Sequence, residues 1–239
     1  MCTLPSPLDP ETEHKIKRMT LLVGLVGSDG IVLAADKCLI APAQLETDID
    51  ERMGGRKIEY LDKHKVAYAY AGDKRALELA DGLAARLDNG FDYGNIRRSL
   101  ELVAKDVMSA VPAGYERLAT RSLFVVFHGM PEIQLWNLRV TSNSPSASRV
   151  DGIAVAGASG NSARFFEHYY RYGLPIEKLK PLAATIILAG HEIDPHIIEG
   201  LDLAIFDKDG LHWIAESEKN RLRAGWMAID DSIRTYVGA

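Results

Sequence analysis

A hydroxyl, a carboxylate and an amine stand where apolar runs begin or end in this sequence. Thr20 opens the run 20–27, Asp36 closes the run 31–36, and Lys57 opens the run 57–61. A threonine hydroxyl is a poor nucleophile until a base takes its proton. If Thr20 were the first residue of the working chain, its own α-amino group could be that base, with a reference pKa of about 7.7–8.0. A general base works best when its pKa lies near the operating pH. An ammonium from Lys57 beside it would lower that pKa by like-charge repulsion. Asp36 would keep Lys57 charged and oriented. Further on, Gly72 offers a backbone N–H to a developing oxyanion, and such a donor is worth about 2.7–4 kcal/mol. The order Met19-Thr20 fits this reading, since an exposed threonine amine is what the chemistry needs.

The elements around these residues must bring them together. Residues 21–27 and 31–36 are apolar runs joined by Ser28-Asp29-Gly30, a hairpin signal. Antiparallel pairing then puts Thr20 opposite residue 37 to 39, close to Asp36. A second hairpin joins 57–61 to 66–72 and places Lys57 and Gly72 at its open end. If the two hairpins pair in one sheet, the four groups converge. Between them lies a long loop with the acidic run 46–51, read as a solvated face. Helical spacing of Leu77, Ala80, Leu83, Ala84 and Leu87, and of Ile96, Leu100, Val103, Val107 and Met108, predicts helices over 74–88 and 95–110. Strands are expected at 122–128, 133–140 and 152–157, helices at 161–171 and 176–189, then a hairpin of 201–207 with 211–216 and a polar or helical tail.

Strand runs set apart from helix pairs indicate α+β layering and not a parallel βαβ sheet. The near-continuous apolar strands require cover on both faces, which two stacked sheets between helix layers provide. The 239 residues are 47% hydrophobic and 26% charged with a net charge of −5, the profile of a globular chain without the basic face that nucleic acid requires. The longest apolar run, 182–189, is too short to span a bilayer. Asp9, Glu11 and Glu13 occupy the stretch where a secretion signal would be apolar, so a cytoplasmic protein is expected. Cys2 and Cys38 form neither a disulfide framework nor a metal-ligand spacing. His191 and His196 lack a third ligand, so no metal or cofactor is expected. Residues 1–19, with Pro5, Pro7 and Pro10 and no apolar periodicity, read as a flexible extension or propeptide ahead of one domain over 20–239.

The segment TLLVGLVGSDGIVLAADK at 20–37 resembles the opening of proteasome β-type subunits, which are N-terminal-nucleophile hydrolases. The spacing from Thr20 to Asp36 matches that family without a gap. GGRKI with Lys57, AYAG with Gly72 and AGASGN at 156–161 continue the match, over about residues 20–216. ILAGHEI at 187–193 adds a likeness to a late helix of the bacterial heat-shock-locus-V-type peptidase, the branch placed closest. The resemblance implies a four-layer αββα sandwich and a self-compartmentalising threonine endopeptidase acting on peptides or unfolded proteins inside stacked rings of identical subunits. An ATP-dependent unfoldase is the further partner it suggests. It makes Thr20 nucleophile and base, Asp36 and Lys57 its activating pair, Gly72 the oxyanion donor and Ser159 a support near the amine. Tyr70 and Ile40 fall where the family binds substrate, and counting back from 201–205 proposes Asp194 as a further support. The extension ends in Met19, where many family propeptides end in glycine.

Two other classes stay in view. One is a catalytically silent ring subunit, which has no need to keep Thr20, Asp36 and Lys57 together. The other is an N-terminal-nucleophile amidase acting on a small molecule, which the spacing within 31–36 disfavours.

Overall fold

The computed structural model of the chain describes residues 20–40, 52–54, 57–72, 74–109, 121–141, 144–157, 166–193 and 200–237. The extension 1–19 and the acidic run 46–51 lie outside the described residues. Two five-stranded antiparallel sheets face each other. The first runs in the order β10-β1-β2-β11-β12, formed by Ile153–Gly157, Leu21–Val26, Gly30–Ala35, Asp202–Asp207 and Gly210–Trp213. The second runs β5-β6-β7-β8-β9, formed by Ile58–Leu61, Val66–Ala71, Arg121–Phe127, Gln134–Thr141 and Ser144–Val150. A short two-stranded ribbon pairs β3 (Cys38–Ile40) with β4 (Arg52–Gly54).

Four helices among the described residues cover the outer faces. Helices α1 (Lys74–Asp88) and α2 (Ile96–Ser109) bury Leu79, Leu83, Leu100 and Val103 against Tyr68, Leu123, Val125 and Phe127 of the second sheet. Helix α3 (Ile176–Ile193) buries Leu179, Ala183, Ile186 and Ile187 against Leu21, Val23, Leu25, Val32 and Leu203 of the first. Helix α4 (Glu216–Val237) follows β12 and adds Leu222 to that outer cluster. Between the sheets the alternate residues Leu22, Leu33, Ala35, Ile58, Ala67, Ala69, Phe124, Ala204 and Phe206 form a third apolar layer. The result is the α+β, αββα arrangement that double-sided burial required. Strands with one face in the sheet-sheet layer and one under helices have no wet side, which is why their sequences do not alternate.

Three expectations change. The two hairpins do not share a sheet: β1 and β2 lie in one and β5 and β6 in the other, so they meet across the sandwich. In the described part of 161–171, Phe166 and Glu167 are helical and turns follow. The Tyr170 hydroxyl there donates to the Val26 carbonyl at 2.7 Å, tying this segment to the end of β1. Strand β9, with the sequence SPSASRV, was not foreseen. It is an edge strand, mostly exposed, paired to β8 through main-chain contacts that need no apolar pattern.

Candidate active site

The first hairpin pairs Leu22 with Ala35, so Thr20 falls opposite Lys37 and beside Asp36, within the expected range. Two hydrogen bonds close this end. Leu21 N–H donates to Asp36 Oδ1 at 2.9 Å, and Asp36 N–H donates to the Leu21 carbonyl at 3.2 Å. The carboxylate is therefore locked to the backbone of the residue after Thr20. In the facing sheet Ile58 pairs with Ala69, which leaves Lys57 at the open end of the second hairpin. Its ammonium reaches across the sheet-sheet layer, donating to Asp36 Oδ2 at 2.7 Å and to Thr20 Oγ1 at 3.0 Å.

All three side chains are withdrawn from solvent: Thr20 is 8% exposed, Asp36 0% and Lys57 1%. Burying a lysine and an aspartate is costly unless they are paired with good geometry, and the 2.7 Å contact provides it. In this low-dielectric setting the ammonium acts on Thr20 with little screening. It donates to Oγ1 and so favours the alkoxide-like character that develops when the hydroxyl loses its proton. The ammonium can donate to Oγ1 but cannot take its proton.

Two glycines shape the surroundings. Gly157, at the end of β10, pairs with Leu21. Its φ is +113°, and a Cβ there would sit 1.5 Å from the Thr20 carbonyl oxygen. Only glycine lets β10 approach the backbone of Thr20 so closely. In the sequence the signal for this role is an isolated glycine ending an apolar strand, which marks close backbone approach. Gly72 follows β6 with φ +134°, and a Cβ there would sit 3.2 Å from the side chain of Arg121, which is 6% exposed. Its neighbour Ala71 shares the sheet-sheet layer with Leu22 and Ala35.

Tyr70 is half-buried and packs with the cluster under α1 and α2, on the face of β6 opposite Ala69 and Ala71. Burial, and then Glu59 and Asp81 nearby, push its phenol pKa up. Ile40 belongs to β3, and its side chain lies outside the described residues, as do Ser159 and Asp194 entirely. A buried acid absent from the sequence reading is Asp202, which pairs with Ala35 in the adjoining strand and sits 4.0 Å from the Lys219 ammonium. A charge opening the otherwise apolar run 202–206 is the signal that could have found it. Among the described residues no group of three His, Cys, Asp or Glu could hold a metal ion, and no helix is long and apolar enough to cross a membrane.

No protein-family model matches the chain, and no curated protein is similar to it by sequence. Solved structures do resemble it. One is Anbu (ancestral beta-subunit) from Yersinia bercovieri, with TM-score 0.65, 14% identity, and coverage of 90% of this chain and 96% of that one. Another is an Anbu (Gly-1) mutant from Hyphomicrobium sp. strain MC1, with TM-score 0.66, 12% identity, and coverage of 92% and 97%. At such identities the likeness establishes the fold. It also corrects the branch assignment: these structural neighbours are Anbu proteins, and no sequence match supports a heat-shock-locus-V-type peptidase. The stretch that suggested that branch, ILAGHEI at 187–193, lies at the end of α3, where Ile187 packs against the first sheet. An apolar helix face of this kind is set by packing and carries no information about the branch.

Proposed function

We propose that this chain is a proteasome-like N-terminal-nucleophile hydrolase that cleaves peptide bonds as a threonine-type endopeptidase, with Thr20 as its nucleophile. One observation carries the reading: a fully buried ammonium bridges the Thr20 hydroxyl and a fully buried carboxylate, at 3.0 and 2.7 Å. A strand-opening threonine in a purely structural role has no use for that arrangement, since placing two charges in an apolar layer destabilises the fold relative to an apolar pair of similar size.

In the proposed reaction the free Thr20 amine accepts the proton of its own hydroxyl, and Oγ1 attacks the carbonyl carbon of the scissile bond. The Lys57 ammonium holds Oγ1 in place and lowers the cost of its negative charge. The tetrahedral oxyanion is met by the Gly72 N–H. Collapse breaks the C–N bond, and the leaving amine takes the proton held by the Thr20 nitrogen. Water, deprotonated by the same nitrogen, then hydrolyses the acyl ester and restores the hydroxyl. Ser159 and Asp194 are proposed to steady the amine, and Tyr70 and Ile40 to contact substrate. An unguarded enzyme of this kind would cut indiscriminately, so assembly into rings of identical subunits enclosing the site belongs to the proposal, with unfolded protein, delivered by an ATP-dependent unfoldase, as substrate.

The test is hydrolysis of a panel of fluorogenic peptides and labelling by a peptide epoxyketone, which reacts with a hydroxyl and an amine on one residue. Cleavage and a Thr20 adduct in the wild type, both lost in Thr20→Ala, are expected. Undiminished cleavage by Thr20→Ala would refute the proposal.

A further inference from the structure

Two carboxylates without a cation stand beside two tyrosines on the outer face of β6. Glu59 of β5 pairs with Tyr68 of β6, and Tyr70 follows on the same face. β5 is the edge of its sheet, so this side is open, and Glu59 is exposed. Helix α1 lays Leu79, Ala80 and Leu83 on the face that holds both rings. Its Gly82 flank is closed by Val103 and Val107 of α2. Leu77 and Asp81, one turn apart, therefore look the other way, toward β5. Asp88, further along that flank, meets His64 just after β5 at 3.0 Å. Leu77 is 41% exposed and Asp81 is also exposed. Among the described residues neither Glu59 nor Asp81 has an ion-pair or hydrogen-bond partner. Neighbouring cations are committed elsewhere: Lys63 to Asp88, Lys65 to Asp62 and Arg86 to Asp106.

The tyrosines point to a ligand independently of the acids. Tyr68 is 9% exposed, yet its hydroxyl has no hydrogen-bond partner among the described residues. A tyrosine hydroxyl carried that deep normally finds one. Burial, and then the charges of Glu59 and Asp81, push the pKa of both phenols up. Both carboxylates thus lie close to both rings, and the rings stay neutral. Leu77 and the ring faces offer apolar contact to an aliphatic stem, the rings attract a cation, and the carboxylates would hold it. Lysine and arginine side chains have that build, a methylene stem with a charged head. A glutamate would be repelled, and an apolar side chain would leave both carboxylates unpaired.

The notch also lies in reach of the site. β6 ends at Ala71 and Gly72 follows, which puts Tyr70 about 7 Å from Gly72 along the strand. In the proposed reaction the carbonyl met by the Gly72 N–H belongs to the residue before the scissile bond. The side chain of that residue is the one that can enter the notch. We infer that the notch between α1 and the β5 edge, walled by Glu59, Tyr68, Tyr70, Leu77 and Asp81, receives a lysine or arginine side chain and selects substrates with a basic residue before the scissile bond. The inference rests on the peptidase reading above for its substrate.

Fluorogenic peptides that differ only before the scissile bond, carrying lysine, arginine, norleucine or glutamate there, test it. Wild type should cleave the basic peptides with kcat/KM about tenfold above the norleucine one. Glu59→Gln/Asp81→Asn should bring lysine and norleucine level, and Glu59→Lys should move the preference to glutamate. Both positions are exposed, so neither change threatens the fold. Equal rates for lysine and norleucine in wild type, or an undiminished preference in the double variant, would overturn the inference. Thr20→Ala, in which the proposed nucleophile is gone, gives a second reading. Fluorescence anisotropy should show the lysine peptide bound about tenfold tighter than the norleucine one, and Glu59→Gln/Asp81→Asn should abolish the difference. Cleavage without selectivity would leave the peptidase reading standing and overturn the notch. Selective binding with no cleavage by wild type would keep the notch and sink the peptidase reading.

Discussion

Replacing Lys57 by methionine separates what the ion pair does for the fold from what it does for chemistry. Lys57 fills a fully enclosed space, 1% exposed, and methionine occupies most of that volume. The loss is the ammonium 2.7 Å from Asp36 Oδ2. Asp36, at 0% exposure, keeps the Leu21 N–H on Oδ1 but loses the Lys57 ammonium. Removing one partner of a buried pair costs about 3–5 kcal/mol, a large share of the 5–15 kcal/mol typical of a domain. The urea midpoint of Lys57→Met should therefore fall steeply. Adding Asp36→Asn removes the buried negative charge and keeps a side-chain oxygen that can accept from Leu21 N–H. The double variant should recover at least half of the lost stability. Activity should behave otherwise: both variants should retain less than a hundredth of wild-type kcat/KM, because neither has the ammonium beside Thr20 Oγ1. Urea unfolding at one fixed protomer concentration, followed by circular dichroism beside a peptide assay, reads both. A double variant as unstable as the single one would refute the claim that an unbalanced buried carboxylate is the cost. Wild-type activity in Lys57→Met would refute the role of Lys57.

Three further outcomes are expected. Gly157→Ala must move β10 away from Thr20, because its Cβ would overlap the Thr20 carbonyl at φ +113°; it should cost at least about 2 kcal/mol in urea unfolding and more than tenfold in peptide cleavage, and a wild-type midpoint would contradict the geometry. Burial alone would lower the Lys180 pKa, but hydrogen bonds from its ammonium to Glu177 and Glu218 outweigh it and hold the pKa above the ordinary lysine value. A raised pKa stabilises the fold fully below the unfolded value and ceases to as pH climbs through the folded one, so the advantage of wild type over Lys180→Met in urea should be constant from pH 7 to 9 and shrink above about pH 10.4; an advantage that grows there would contradict it. If the Thr20 amine is the base, kcat/KM should rise with pH through an apparent pKa at or below about 7.7–8.0, because Lys57 repels its proton, and a flat profile from pH 5 to 9 with chemistry rate-limiting would count against it.

The sequence revealed those parts of the site that depend on local geometry. Thr20 and Asp36 are two ends of one short hairpin, so a turn signal and strand counting suffice to bring them together. Lys57 could be placed at the open end of its own hairpin, but the route by which it reaches Thr20 was misjudged. Its hairpin faces the first across the sandwich, and the packing of one sheet on another has no short-range signature. Strand β9 was invisible because an exposed edge strand such as Ser144–Val150 is held by main-chain pairing to β8 and selects no apolar period. The ribbon of β3 and β4 was missed because each strand has three residues. Asp202 and Arg121 escaped notice because a buried charge looks like a surface one until the fold closes over it. The branch of the fold family was not legible because a short likeness such as ILAGHEI at 187–193 lies on a core-packed helix, whose apolar pattern is set by burial and does not distinguish branches.

The central claim is that Thr20 works as a free N-terminal residue, and reading the N-terminus of active protein tests it most directly. An intact chain holds the Thr20 nitrogen in an amide, which has no basic lone pair. Residues 1–19 are proposed to be absent from the working enzyme, either cut after Met19 or never made because translation starts there. The gene should be expressed once from Met1 and once from Met19, and each product analysed by intact-mass spectrometry beside the peptide assay. The Met19 product should begin at Thr20 and be active, and activity of the Met1 product should scale with the fraction that has lost its extension. A homogeneous, full-length Met1 product with undiminished activity would contradict the account.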